Sequence, residues 1–135
     1  MSTSIEDLEG VGPKMGDTFR DNDIQTVEDL LERGATAAGR KALEEATGIS
    51  GKRILTFVNM ADLMRVKGVG AEYAELLQAS GVDTVKELRN RNAENLAAKM
   101  AEVNEEKELT RSVPSAKVVT GWVEHAKELD PVIEY

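Results

Sequence analysis

Three features of this sequence predict an all-α fold: very few aromatic residues, no run that alternates apolar and polar, and a Gly-Val-Gly that occurs twice between helical patterns. The chain has 135 residues, 41% of them hydrophobic but only 4% aromatic, namely Phe19, Phe57, Tyr73, Trp122 and Tyr135. A core so poor in rings is filled by Leu, Val, Ile, Met and Ala, which favours helices over sheets. No segment keeps the period of two that a half-buried strand requires. The length suits one compact domain over 1–135.

The chain repeats itself. Leu8-Glu-Gly-Val-Gly-Pro-Lys-Met-Gly-Asp-Thr-Phe19 aligns with Val66-Lys-Gly-Val-Gly-Ala-Glu-Tyr-Ala-Glu-Leu-Leu77 at a shift of 58 residues, and Ile24–Leu30 then falls on Val82–Leu88 at the same shift. Further on, Ser50–Thr56 falls on Pro114–Thr120 at a shift of 64, which implies a six-residue insertion within Val103–Val113. The internal copies are about 1–58 and 59–129, followed by a tail over 130–135. Two copies of this length form the halves of one domain rather than a solenoid.

Each element has a local reason. In each Gly-Val-Gly the glycines allow a reversal with positive φ, expected at Gly10, Gly12, Gly68 and Gly70. Pro13 suits the first turn of the helix that follows, where a missing N–H costs nothing. Thr26 and Thr84 are N-caps. Thr84-Val-Lys-Glu87 is a capping box and Thr26-Val-Glu-Asp29 its shorter-armed twin. Gly48 and Gly81 suit left-handed helix stops. A helix starts at Ser50 or Gly51 and runs to about Val66, apolar almost all round and therefore buried. The last helix, Ser115–Leu129, has one apolar stripe (Val118, Val119, Trp122, Ala126, Leu129) and one wet face (Lys117, Thr120, Glu124, Lys127, Glu128). The tail Asp130–Tyr135 carries Val132, Ile133 and Tyr135 after a proline; it packs back on the domain or docks on a second chain.

Charge and composition narrow the function. The net charge is −8, divided equally between the parts of the chain before and after Val58, and cysteine is absent. A broadly basic nucleic-acid binder is excluded, because the net field repels phosphate beyond a Debye length of about 8 Å, although local phosphate contact stays open. Disulfides and thiolate chemistry are excluded. Met1–Asp7 has no basic region followed by an apolar run, and no stretch approaches the roughly 18 apolar residues of a membrane span. The expectation is a cytoplasmic protein without membrane contact.

The glycine pattern resembles the helix-hairpin-helix motif: a hydrophobic residue, Gly, a β-branched residue, Gly, then a small and a hydrophobic residue in the next helix. Leu8, Gly10, Val11, Gly12, Gly16 and Phe19 supply it first, and Val66, Gly68, Val69, Gly70, Ala74 and Leu77 supply it again. Over nearly its whole length the chain is similar to a family of uncharacterised bacterial and archaeal proteins with this tandem arrangement. The motif implies binding of duplex DNA backbone through hairpin N–H groups and nearby cations. Carried onto this chain, the contacts are Gly10, Val11, Gly12 and Lys14 in the first copy and Gly68, Val69 and Gly70 in the second. There Glu72 stands where Lys14 does, and Arg65 and Lys67 supply charge from the other side.

The remaining constellations are plainer. Ser50, Lys52 and Arg53 at one helix start make a candidate anion site, or else solvated cations paired with Glu44 and Glu45. Nucleotide loops fail, since Met15, Tyr73, Ala46 and Arg53 occupy positions that need Gly, Ser or Thr. Asp21 and Glu32 imitate the ends of a calcium loop, but its central glycine is Thr26. His125 is the only histidine and has no nucleophile at a telling spacing. Met60 and Met64 are core residues by default. The expectation is therefore a non-enzymatic module with no cofactor and no metal. It binds duplex DNA weakly and without sequence preference; alternatively it is a protein-interaction or scaffolding domain whose hairpins are purely structural.

Overall fold

A computed structural model describes residues 3–135; Met1 and Ser2, where the amino-terminal segment read above begins, lie outside the described residues. Among the described residues the fold is all-helical. A 3-10 turn, Ile5–Asp7, precedes α1 (Gly12–Asp21), α2 (Val27–Arg33), α3 (Ala37–Thr47), α4 (Gly51–Leu63), α5 (Ala71–Ala79), α6 (Val85–Leu88), α7 (Ala93–Lys107) and α8 (Ala116–Ala126). No helix is long and apolar enough to cross a membrane. The chain divides into two compact units: Met1–Asp62 with Val132–Tyr135, and Leu63–Pro131.

The first unit closes on Ile5, Leu8, Phe19, Ile24, Leu30, Leu43 and Ile54, all at most 1% exposed. Phe19 meets Phe57 edge to face, with ring centroids 6.3 Å apart. The amino-terminal segment is tied in by main-chain bonds from Ile5 N–H to Gln25 O and from Val27 N–H to Thr3 O. The second unit buries Val66, Leu76, Leu77, Val82, Leu88, Leu96, Met100 and Val119, with Tyr73 and Trp122 at a centroid distance of 5.2 Å. Each fully buried Leu, Ile or Phe contributes about 1.5–3 kcal/mol.

Helix starts follow the sequence closely. The Thr26 hydroxyl accepts from Asp29 N–H at 3.0 Å while the Asp29 carboxylate accepts from Thr26 N–H at 3.1 Å. In the second copy the Glu87 carboxylate takes both the N–H and the hydroxyl of Thr84. Gly48 stops α3 with φ +76°, and Gly81 follows α5 with φ +93°. The residue that stands 58 before Gly81 is Asp23, and it also has positive φ, at +64°.

The later alignment needs correcting. Ser50 Oγ accepts from Arg53 N–H and Ser115 Oγ from Val118 N–H, so cap falls on cap at a shift of 65 residues, and Ser50 matches Ser115 rather than Pro114. Burial agrees: Ile54, Phe57, Val58 and Ala61 match Val119, Trp122, Val123 and Ala126, all buried. The identity of Thr56 and Thr120 is thus incidental. The added length lies partly in α7, which runs through Val103–Lys107, and partly in the loop behind it. Asn104 fastens that loop by exchanging side-chain bonds with the main chain of Thr110.

Three further expectations move. The fourth helix ends at Leu63 rather than near Val66, and Val66 N–H bonds Leu63 O in a turn. The last ends at Ala126 rather than Leu129. Val118 is 46% exposed, not part of the apolar stripe, and Val123 takes that place; in the corrected register Val118 falls on exposed Arg53.

The Asp29 carboxyl is held below its ordinary value of 3.8, first by the Gln25 N–H and then by the Thr26 hydroxyl and N–H and the Arg33 charge, against partial desolvation. A lowered folded value means that the carboxylate stabilises the fold above its unfolded pKa, and that this is lost as pH falls through the folded value. Asp29→Asn should therefore melt below the wild type at neutral pH. The gap should shrink in melts taken progressively below about pH 4.

Candidate functional site

The two Gly-Val-Gly turns are built alike. In the first, Leu8 N–H bonds Ile5 O and Val11 N–H bonds Leu8 O; in the second, Val66 N–H bonds Leu63 O and Val69 N–H bonds Val66 O. Each pair of bonds lies 58 residues from its counterpart. Gly10 and Gly68 have φ of +91° and +93°, the left-handed region that side chains rarely enter. Val11 and Val69 are buried plugs, 6% and 5% exposed.

A ring from α4 backs Gly10 and one from α8 backs Gly68. A Cβ on Gly10 would lie 3.3 Å from Phe57 Cε1, and one on Gly68 would lie 3.1 Å from Trp122 Nε1. Phe57 and Trp122 are equivalent in the cap-based register. Each turn also receives one polar contact from that helix. Arg53 Nη2 donates to Gly10 O at 3.3 Å, with its guanidinium 5.7 Å from the Phe57 ring centre. In the second turn the main-chain N–H of Lys67 donates to His125 Nδ1 at 2.9 Å. The lone histidine is thus half-buried and acts as an acceptor that pins a hairpin.

The second glycines differ. Gly12 has φ +68° but Gly70 has φ −91° and ψ −173°, so positive φ at Gly70 is corrected. Pro13 explains the difference: a residue before proline is barred from the right-handed helical region, and glycine escapes to positive φ. Gly70 precedes Ala71 and is an ordinary extended N-cap.

The anticipated anion group is not gathered round one point. Ser50 Oγ is used by Arg53 N–H, and the Glu44 carboxylate accepts from Gly51 N–H at 2.5 Å, so a carboxylate already occupies that helix start. Lys52 is exposed, and the Arg53 side chain turns to the first hairpin. Glu44 therefore caps the main chain, not the lysine.

Arg53 and Lys14 instead share a groove of about 310 Å³ with Gly10, Val11, Met15 and Ile49, and no carboxylate lines it. On the other side of the same turn Glu6, Asp7 and Glu9 line an acidic hollow. Arg20 is committed elsewhere: its guanidinium bonds Asp17 at 2.6 Å and Glu6 at 3.2 Å, which together raise its pKa further above the ordinary arginine value. At the second turn Lys67, Gly68 and Gly70 are exposed and Arg65 is half-exposed. A wider groove of about 630 Å³ lies there, lined by Lys67, Gly68, Lys117, Val118, Trp122 and Glu124 among others. Its apolar floor includes Val118, which the helical spacing assigns to the buried stripe. Among the described residues no group of three or more His, Asp or Glu is placed to hold a metal ion.

This all-helical chain with two like-built glycine turns belongs to a family described as a domain of unknown function, DUF4332, whose model matches residues 9–129. No curated protein and no solved structure matches the chain.

Substitution separates the two kinds of glycine. Gly68→Ala should lower stability by at least about 1–2 kcal/mol, from left-handed strain alone and more from the Trp122 contact. Gly70→Ala meets open space and should cost no more than about 1 kcal/mol, the ordinary preference of an N-cap for glycine over alanine. Urea melts of both variants measure the difference.

Proposed function

We propose that the chain is a non-enzymatic binding module whose two turns are helix-hairpin-helix motifs. In this reading they hold the phosphate backbone of duplex DNA weakly and without sequence preference. The observation that carries the reading is a contrast among helix starts. Side-chain oxygens of Thr26, Thr36, Ser50, Asn92 and Ser115 cap α2, α3, α4, α7 and α8, and a Thr84–Glu87 capping box holds the start of α6. The starts of α1 and α5, the two that follow the Gly-Val-Gly turns, have no side-chain cap. Their leading N–H groups stay available to an anion, and a helix start attracts one.

The flanking cations fit this role. Exposed Lys14 and Arg53 border the first turn on its carboxylate-free side, and Lys67 and Arg65 border the second. Glu6, Asp7, Glu9 and Glu72 oppose phosphate, as does the −8 net charge, so affinity is poor. Helix starts aimed at phosphates read no base edges, which accounts for the absence of sequence preference.

A protein partner is the second reading. It is favoured by the groove at the second turn, where Val118 is 46% exposed beside Trp122 and the charges are mixed. Such a surface suits an apolar side chain better than a phosphate.

Fluorescence anisotropy with a mixed-sequence duplex distinguishes the readings. The DNA reading expects a dissociation constant no better than about micromolar and a log–log salt slope of about −2 to −4, from few neutralised phosphates. Lys14→Glu combined with Lys67→Glu should abolish binding with little change in melting temperature. Gly70→Ser should weaken binding while raising stability by about a few tenths of a kcal/mol, because its hydroxyl caps the amides that phosphate would use. No binding at about 100 μM protein in about 50 mM salt would defeat the DNA reading in favour of the protein partner.

A further inference from the structure

Residues 132–135 belong to the first compact unit, although the second unit lies between them and the rest of it in sequence. Their seat is specific. Arg40 shares the buried side of α3 with Leu43 and is only 8% exposed, yet among the described residues no carboxylate bonds it. Its guanidinium is held by carbonyls instead: Nη1 donates to Gly34 O at 2.8 Å and Ala35 O at 3.2 Å, and Nη2 donates to Glu134 O at 2.8 Å. Glu134 N–H in turn donates to Ala35 O at 2.7 Å. Both main-chain groups of Glu134 are thus read, and its side chain is not.

Selectivity falls on the next residue. The Tyr135 ring lies over Arg40, 5.8 Å from Cζ to the ring centre, and its hydroxyl donates to Oδ1 of Asn59, a side chain on α4 that is 7% exposed. A buried guanidinium and a buried amide are costly unless their polar atoms are bonded. The seat therefore demands an occupant with a main-chain carbonyl and, one residue later, an aromatic ring bearing a hydroxyl. The present occupant is lightly held: Tyr135 is 69% exposed and Val132 37%. A segment with so little buried apolar surface opens more readily than the core it covers.

We propose that Ala35, Arg40 and Asn59 form a peptide-recognition site for an extended segment carrying a tyrosine, and that residues 132–135 are its resident, exchangeable occupant. Recognition is by main-chain pairing plus one side-chain position, as in other extended-peptide sites. A segment of the same chemistry supplied in trans competes with the tail, whose tethering gives it a high effective concentration.

The test uses the full chain and a fluorescein-labelled peptide with the sequence of residues 130–135. Tyr135→Ala removes an exposed side chain at the edge of the fold and weakens the internal competitor. The peptide should bind that variant at least about fivefold more tightly than the wild type. A peptide with alanine in place of tyrosine should not bind, and this control requires no further protein variant. Equal binding of the two peptides would overturn the proposal. So would no saturable binding to the Tyr135→Ala chain at about 1 mM peptide while its melt shows it folded.

Discussion

A left-handed glycine packed against a ring sets the geometry of each copy. Gly10 and Gly68 reverse the chain at φ near +90°, and Phe57 and Trp122 stand where a side chain would begin. The constraint acts twice, since a side chain at either position would strain the backbone and meet the ring. From that reversal follow the burial of Val11 and Val69 and the starts of α1 and α5. The same helices that supply the rings fasten the turns, through Arg53 in one copy and His125 in the other. The two polar contacts have opposite sense, one a donor to a carbonyl and one an acceptor from an N–H, so the copies share a frame but not its chemistry.

Much of this frame could be read in the sequence because it rests on local rules. Thr26, Thr84, Gly48 and Gly81 announce helix ends through their own backbone preferences and do not depend on distant partners. The Gly-Val-Gly spacing marks both turns for the same reason. What escaped was set by long-range contacts or by neighbours. Glycine's freedom alone points to positive φ at Gly70, but the proline that drives Gly12 there has no counterpart at Ala71. Thr56 and Thr120 point to a register that the serine caps overrule by one residue. Val118 fits the helical spacing of the apolar stripe and is nevertheless exposed. Nothing local signals that Arg40 is buried beneath a carbonyl 94 residues away in sequence, since only the tertiary fold brings Glu134 to it.

The two turns differ in charge. At the first turn, cations and carboxylates line separate faces, Lys14 and Arg53 on one and Glu6, Asp7 and Glu9 on the other. At the second, lysines, glutamates and an apolar floor share one groove. What the turns retain in common is the uncapped start of the following helix, on which the proposed contact with phosphate depends.

Amide chemical shifts during titration with a short duplex test that claim at the level of single residues. The account predicts that perturbations concentrate at the main-chain N–H groups of Lys14, Met15, Ala71 and Glu72, while the capped starts of α2, α3 and α8 stay unmoved. Shifts spread over exposed lysines such as Lys99 and Lys127, with none at the starts of α1 and α5, would contradict it.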